Sequence, residues 1–122
     1  MTRNSNNKSI AVLPFTNLSD SKDAEYFSDG ITEEIINALT KIQALKVTSR
    51  TSSFTFKGSK KLLSEIAKQL NVSILLEGSV RLSNDKVRIS AQLIEPEDDV
   101  YFWSESFDRK LDKQSNNFLA SD

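Results

Sequence analysis

The stretch Ile74-Leu75-Leu76-Glu77-Gly78-Ser79-Val80-Arg81-Leu82-Ser83-Asn84-Asp85-Lys86-Val87-Arg88-Ile89-Ser90-Ala91-Gln92-Leu93-Ile94 decides the fold. Ile74, Leu76, Gly78, Val80 and Leu82 alternate with Leu75, Glu77, Ser79 and Arg81. Val87, Ile89, Ala91 and Leu93 alternate with Arg88, Ser90, Gln92 and Ile94. A period of two marks strands with one buried face. If Asn84-Asp85 is a two-residue turn, Leu82 faces Val87, Val80 faces Ile89, Gly78 faces Ala91 and Leu76 faces Leu93. A slip of one residue would send every apolar side chain to the wrong face, so the pattern sets the register as well as the hairpin. Gly78, mid-strand opposite Ala91, reads as a place where a helix packs closely.

Upstream, Ile10-Ala11-Val12-Leu13-Pro14-Phe15 is a continuous apolar run, a buried strand that leaves the sheet at Pro14. Phe27, Ile31, Ile35, Leu39 and Ile42 form one helical stripe between about Ala24 and Ile42, with a proper start at Asp29-Gly30. Leu45 to Ser49 is a short strand, and Arg50 to Lys57 an irregular turn anchored by Phe54 and Phe56. Leu63, Ile66, Ala67 and Leu70 share a face of a second helix, Lys60 to Leu70, which Asn71 stops. Downstream, Glu97-Asp98-Asp99 is a turn and Val100 to Phe107 the last strand. The order β-α-β-α-β-β-β predicts an α/β fold, specifically an α+β two-layer sandwich with two helices mainly on one face of a five-stranded mixed sheet. The domain spans 9–111, and the Asn/Ser-rich segments 1–8 and 112–122 read as linkers or tails.

Composition removes most enzyme classes. The 122 residues include no Cys and no His, so thiol nucleophiles, Cys-ligated metals and the commonest general base are absent. Three glycines, at positions 30, 58 and 78, are too dispersed for a phosphate cradle. Asp20, Asp23 and Asp29, like the turn Glu97-Asp98-Asp99, lack calcium-loop spacing and read as solvated, so neither metal nor cofactor is expected. Sixteen Lys+Arg against 17 Asp+Glu give a net charge of −1, which argues against direct nucleic-acid binding. The polar start and short first apolar run do not make a signal peptide or a membrane insertion. Lack of Cys fits the cytoplasm; a transmembrane helix upstream in a longer protein would place the domain in the periplasm instead.

Three surfaces remain. Ser49, Ser52 and Ser53 beside Arg50 have no His to activate them and read as caps of a helical turn, with an anion held by Arg50, Thr51 and Ser52 as the functional alternative. Arg81 and Arg88 face one another in the inferred register. Glu105 or Asp108 on the neighbouring strand would relieve them, or an acidic partner would. Tight pairing around the acidic turn puts Leu75, Ile94, Tyr101 and Trp103 on the open face, with Phe107 beside Arg88, and an aromatic patch of that kind marks a contact surface. A bulge that rotates Trp103 into the core is the alternative. Ile94, Tyr101 and Trp103 are therefore the candidate partner-binding residues.

The motifs carry a resemblance. Ser9-Ile10-Ala11-Val12-Leu13-Pro14-Phe15 with Asn17-Leu18-Ser19, and Glu25-Tyr26-Phe27-Ser28-Asp29-Gly30-Ile31-Thr32-Glu33-Glu34-Ile35, resemble the opening of the TolB amino-terminal-like domain. Ser49-Arg50-Thr51-Ser52-Ser53-Phe54, Phe56-Lys57-Gly58, Leu76-Glu77-Gly78-Ser79-Val80-Arg81, Gln92-Leu93-Ile94 and Trp103-Ser104-Glu105-Ser106-Phe107-Asp108-Arg109 continue the match to about Leu111. That domain occurs in bacterial multidomain regulators and in proteins named as adenylate cyclases, often next to tetratricopeptide repeats. The resemblance implies a non-catalytic interaction or sensory-transmission module with no catalytic residue of its own. It would dock other domains of the same polypeptide, a protein partner, or a second copy of itself as a homodimer.

Overall fold

The computed structural model describes residues 8–111. Apart from Lys8, the expected linkers lie outside the described residues. Strand β1 (Lys8–Val12) is buried from Ser9 onward, as a strand covered on both faces must be. It pairs in parallel with β3 (Leu45–Val47) on one side and β4 (Ile74–Ser83) on the other. Pro14 has no N–H for the ladder, and the chain steps out of the sheet there. It rejoins β4 as the two-residue β2 (Thr16–Asn17). The Leu13 N–H donates to the Leu76 carbonyl at 2.9 Å and the Leu18 N–H to the Val80 carbonyl at 2.8 Å, bracketing the break.

Helix α1 (Lys22–Leu39) starts before Asp29-Gly30 because Ser21 caps it, its Oγ accepting from the Ala24 N–H at 3.0 Å. Such a cap contributes about 1 kcal/mol, enough to offset an interior glycine. The buried stripe is Ala24, Ser28, Ile31, Thr32 and Ile36, flanked by Phe27, Ile35 and Leu39. Ile42 lies past the helix end and is exposed. Two hydroxyls sit at the centre of this stripe because both are satisfied. Ser28 Oγ donates to the Ala24 carbonyl at 2.7 Å. Thr32 Oγ1 donates to the Ser28 carbonyl at 2.9 Å and accepts from the Phe15 N–H at 2.9 Å.

The hairpin of β4 and β5 (Lys86–Glu95) has the register inferred from alternation, with Leu82 opposite Val87, Val80 opposite Ile89, Gly78 opposite Ala91 and Leu76 opposite Leu93. Strand β6 (Val100–Lys110) pairs antiparallel with β5. The sheet order is β3-β1-β4-β5-β6, with β2 attached to β4, giving six strands in a mixed sheet. The class is the expected mixed α/β fold, with β2 and the short helix α2 (Arg50–Phe54) as additions.

Helix placement corrects one expectation. α1 packs on Ile10, Val12, Phe15, Leu76 and Val80. Helix α3 (Leu63–Leu70) packs its Ile66 and Ala67 on Ala11, Leu13, Leu75 and Ile94, residues of the opposite parity. The two helices therefore cover opposite faces rather than one. The crossover through α1 leads from β1 to β3, and the crossover through α3 returns past β1 to β4. Crossovers of the same hand that run in opposite directions must use opposite faces. Asn71 ends α3 in the left-handed conformation, φ 56°, as the stop signal implied. A second correction concerns Gly78, whose close neighbours are the Phe15 ring and the Ser90 carbonyl rather than a helix.

Candidate functional site

Strand β6 has a hydrogen-bonded neighbour on one side only, so its other side is a sheet edge among the described residues. All eleven of its residues are exposed, including the large apolar side chains Val100, Tyr101, Phe102, Trp103 and Phe107. Natural sheets usually blunt a long edge with charge, Pro or brevity, and a long apolar one is a template for another strand. The central run Tyr101 to Ser104 has neither a charge nor a Pro, and Glu105 stands alone among Ser104, Ser106 and Phe107.

A β-bulge between Leu93 and Ile94 distributes the aromatics over both faces. Tyr101 pairs with Ile94 on the α3 face, where its O–H donates to Glu77 Oε2 at 2.6 Å. That bond to a carboxylate holds the Tyr101 phenol above its ordinary pKa. After the bulge the parity changes, and Trp103 pairs with Leu93 and Phe107 with Ile89 on the α1 face. Phe107 is therefore not beside Arg88, as tight pairing without a bulge would have it. The bulge does rotate Trp103 off the open face, yet Trp103 stays 40% exposed because α1 packs over β1 to β4. Of the three partner-binding candidates, Tyr101 and Trp103 are exposed on opposite faces of β6. Ile94 is only 2% exposed, because α3 covers it, and it cannot be a contact residue.

The Arg50 loop is already engaged. Ser49 caps α2, its Oγ accepting from the Ser52 N–H at 3.3 Å. Arg50 Nε bonds Glu33 Oε2 at 2.9 Å, and the guanidinium stacks on Phe54, 4.1 Å from the ring centroid. An anion at Arg50, Thr51 and Ser52 would compete with the Glu33 carboxylate. Nearby, Lys57 clamps α1, with Nζ 2.7 Å from both Asp29 Oδ2 and Glu25 Oε2. These bonds raise the Lys57 pKa, and the bond from Lys57 lowers that of Glu25. The i, i+4 spacing of Glu25 and Asp29 was the sequence signal for this clamp, since it places two carboxylates on one helix face.

Charge separates along the outer strands. Glu95, Glu97, Asp98 and Asp99 gather around the β5–β6 turn, where a hydrogen bond shared with Asp98 raises the Glu95 pKa. At the other end a shallow depression of about 450 Å³ is lined by Arg81, Lys86, Arg88, Arg109 and Lys110, with Asp108 the single acid. Arg81 faces Arg88, as inferred. Arg88 bonds Asp108 through Nε at 2.8 Å and Nη2 at 3.0 Å, the relief anticipated from the neighbouring strand. Among the described residues, no group of three or more Asp and Glu side chains is arranged to hold a metal ion, and no helix is long and apolar enough to cross a membrane.

Residues 6–121 match the model of the HilA/YgeH-like transcriptional regulator family, second domain. The chain belongs to this family. A protein of Rhizobium meliloti (strain 1021) named "Putative adenylate cyclase 3" is 44% identical over 104 residues, covering 85% of this chain and 18% of that protein. The chain thus spans less than a fifth of that relative's length. Among solved structures, lipoprotein GNA1162 of Neisseria meningitidis superposes with a TM-score of 0.70 at 17% identity, covering 89% of this chain and 84% of that one. The LpoB C-terminal domain of Escherichia coli gives 0.65 at 18% identity over 83% and 81% of the two chains. TolB of Acinetobacter baumannii gives 0.57 at 15% identity over 88% and 24%. At such identities the likeness is one of fold alone. This HilA/YgeH-like domain therefore shares a family with transcriptional regulators, a close sequence with a cyclase-named protein, and its fold with lipoprotein GNA1162, the LpoB C-terminal domain and part of TolB.

Proposed function

We propose that this domain is a non-catalytic interaction module of a larger bacterial signalling protein, and that it docks a neighbouring domain or a protein partner along β6. The observation that carries the reading is the edge itself, an eleven-residue strand with five exposed large apolar side chains and no charge from Val100 to Ser104. Strand addition would supply main-chain hydrogen bonds, while Trp103 and Tyr101 would select the partner's side chains on the two faces. The chemistry of the parent protein, whether cyclase or transcriptional, would then belong to other domains, with tetratricopeptide repeats among them as the motifs imply. Membership of a regulator family supports a cytoplasmic setting.

Amide hydrogen exchange tests the reading. The 122-residue chain at high dilution is compared with the same segment inside the full polypeptide that carries it. Docking should slow exchange of alternate β6 amides by about tenfold or more, since those N–H groups gain partners only on strand addition. Equal exchange in both settings would remove β6 as the docking edge.

A further inference from the structure

We infer that the occupant of the β6 edge is the β6 strand of a second copy of this chain, paired antiparallel with the two-fold axis at Glu105. The inference rests on the reading of β6 as a docking edge and names what sits there. Two identical edges related by a two-fold axis pair antiparallel, so that one residue faces its own copy. With Glu105 at that point, Trp103 faces Phe107 of the second copy, Phe107 faces its Trp103, and Ser104 faces its Ser106. Trp103 and Phe107 share the α1 face, where they extend the apolar surface of Leu93 and Ile89. Paired across the axis they form two cross-strand aromatic pairs, the side-chain arrangement that most stabilises such a ladder. Moving the axis to Ser104 or Ser106 sets Trp103 against Glu105 or Arg109 instead, and both aromatic pairs are lost.

The charges choose the same orientation independently. The acidic turn with Glu95, Glu97, Asp98 and Asp99 leads into β6, and Arg109 and Lys110 end it beside Arg81, Lys86 and Arg88 of the hairpin tip. Antiparallel pairing lays each acidic turn against the basic end of the other copy, twice per dimer. Parallel pairing would bring like ends together. Opposite charges gathered at the two ends of an edge that is unpaired among the described residues make that edge complementary to itself. One feature opposes the pairing, namely Glu105 against Glu105 at the axis. It also marks the register, because neutralising that residue should tighten the dimer.

Sedimentation equilibrium of the 122-residue chain should show a monomer–dimer equilibrium that weakens as salt rises from about 0.05 M to about 0.5 M. Phe107→Lys should raise the dissociation constant by at least about tenfold, and Glu105→Gln should lower it by about two- to fivefold. Because the chain has no Cys, Glu105→Cys is a clean probe and should give a disulfide-linked dimer under mild oxidation, while Ser106→Cys should not. A chain that stays monomeric at millimolar concentration overturns the inference. So does a dimer that Glu105→Gln fails to tighten and that cross-links better through Ser106→Cys. If the chain is monomeric while β6 amides are protected in the full polypeptide, only the second copy is refuted as occupant. If neither holds, the docking edge falls with it.

Discussion

Thr32→Val should destabilise the domain even though it preserves the volume of a fully buried side chain. Pro14 takes the chain out of the β1 ladder, and the next amide, that of Phe15, finds its partner in Thr32 Oγ1 at 2.9 Å. Phe15 and Thr32 are both buried, so water has no access to replace that acceptor. Leaving a buried N–H without a partner costs about 1–3 kcal/mol. The added methyl returns at most about 0.8 kcal/mol if it fits. The Ser28 carbonyl, which also loses the Thr32 hydroxyl, can keep its helical N–H donor and adds little. With a mid-range penalty of about 2 kcal/mol the net loss is about 1–2 kcal/mol, which for a domain near 100 residues lowers Tm by roughly 5–15 °C. Urea and thermal unfolding followed by circular dichroism would measure it, with exchange of the Phe15 amide as the local readout. Thr32→Ser is the control, because it keeps the acceptor and loses one methyl. Packing alone would rank Val above Ser; the hydrogen bond ranks Ser above Val. A Thr32→Val variant within about 0.5 kcal/mol of wild type, with Phe15 exchange unchanged, would refute the reasoning.

Three further outcomes follow from other sites. Gly78→Ala should cost about 1–3 kcal/mol, since a Cβ there would meet the Ser90 carbonyl oxygen and the Phe15 ring, whose Cζ would lie 2.7 Å away; unfolding midpoints equal to wild type would contradict it. Ser53 Oγ is buried with no hydrogen-bond partner among the described residues, so Ser53→Ala should be neutral or stabilising, and a loss above about 1 kcal/mol would reveal a partner. In a Tyr26→Phe background, ultraviolet titration should show Tyr101 ionising above the ordinary tyrosine range, and Glu77→Gln should bring it back down. The sign follows from the raised pKa: the Tyr101–Glu77 bond supports the fold below the unfolded tyrosine pKa and is lost as pH rises through the folded one.

Placing chemistry outside this domain accords with its composition. A chain without Cys or His has few means of catalysis, and Arg50, Lys57 and Arg88 are each held in ion pairs with carboxylates. The β6 edge adds exposed main chain and five large apolar side chains to a charged surface. Such a surface suits the docking role proposed for β6.

By itself the sequence determined whatever depends on local periodicity. The β4–β5 register could be counted because alternation on two strands around Asn84-Asp85 admits one match of apolar faces. The α3 stop at Asn71, the cap at Ser49 and the Arg81–Arg88 opposition are likewise local or one turn away. Tertiary structure decided the rest, because each remaining feature joins distant segments. Thr32 belongs to the core only because Phe15, after a proline break, needs an acceptor. α3 covers the second face because the strand order sends its crossover back past β1, and that burial removes Ile94 from the surface. The bulge between Leu93 and Ile94 is a choice among near-equal turn and pairing geometries that no pattern of two encodes. That one-residue shift separates Tyr101 from Trp103 and turns Trp103 and Phe107, which share a face by strand alternation, onto the α1 face of the edge.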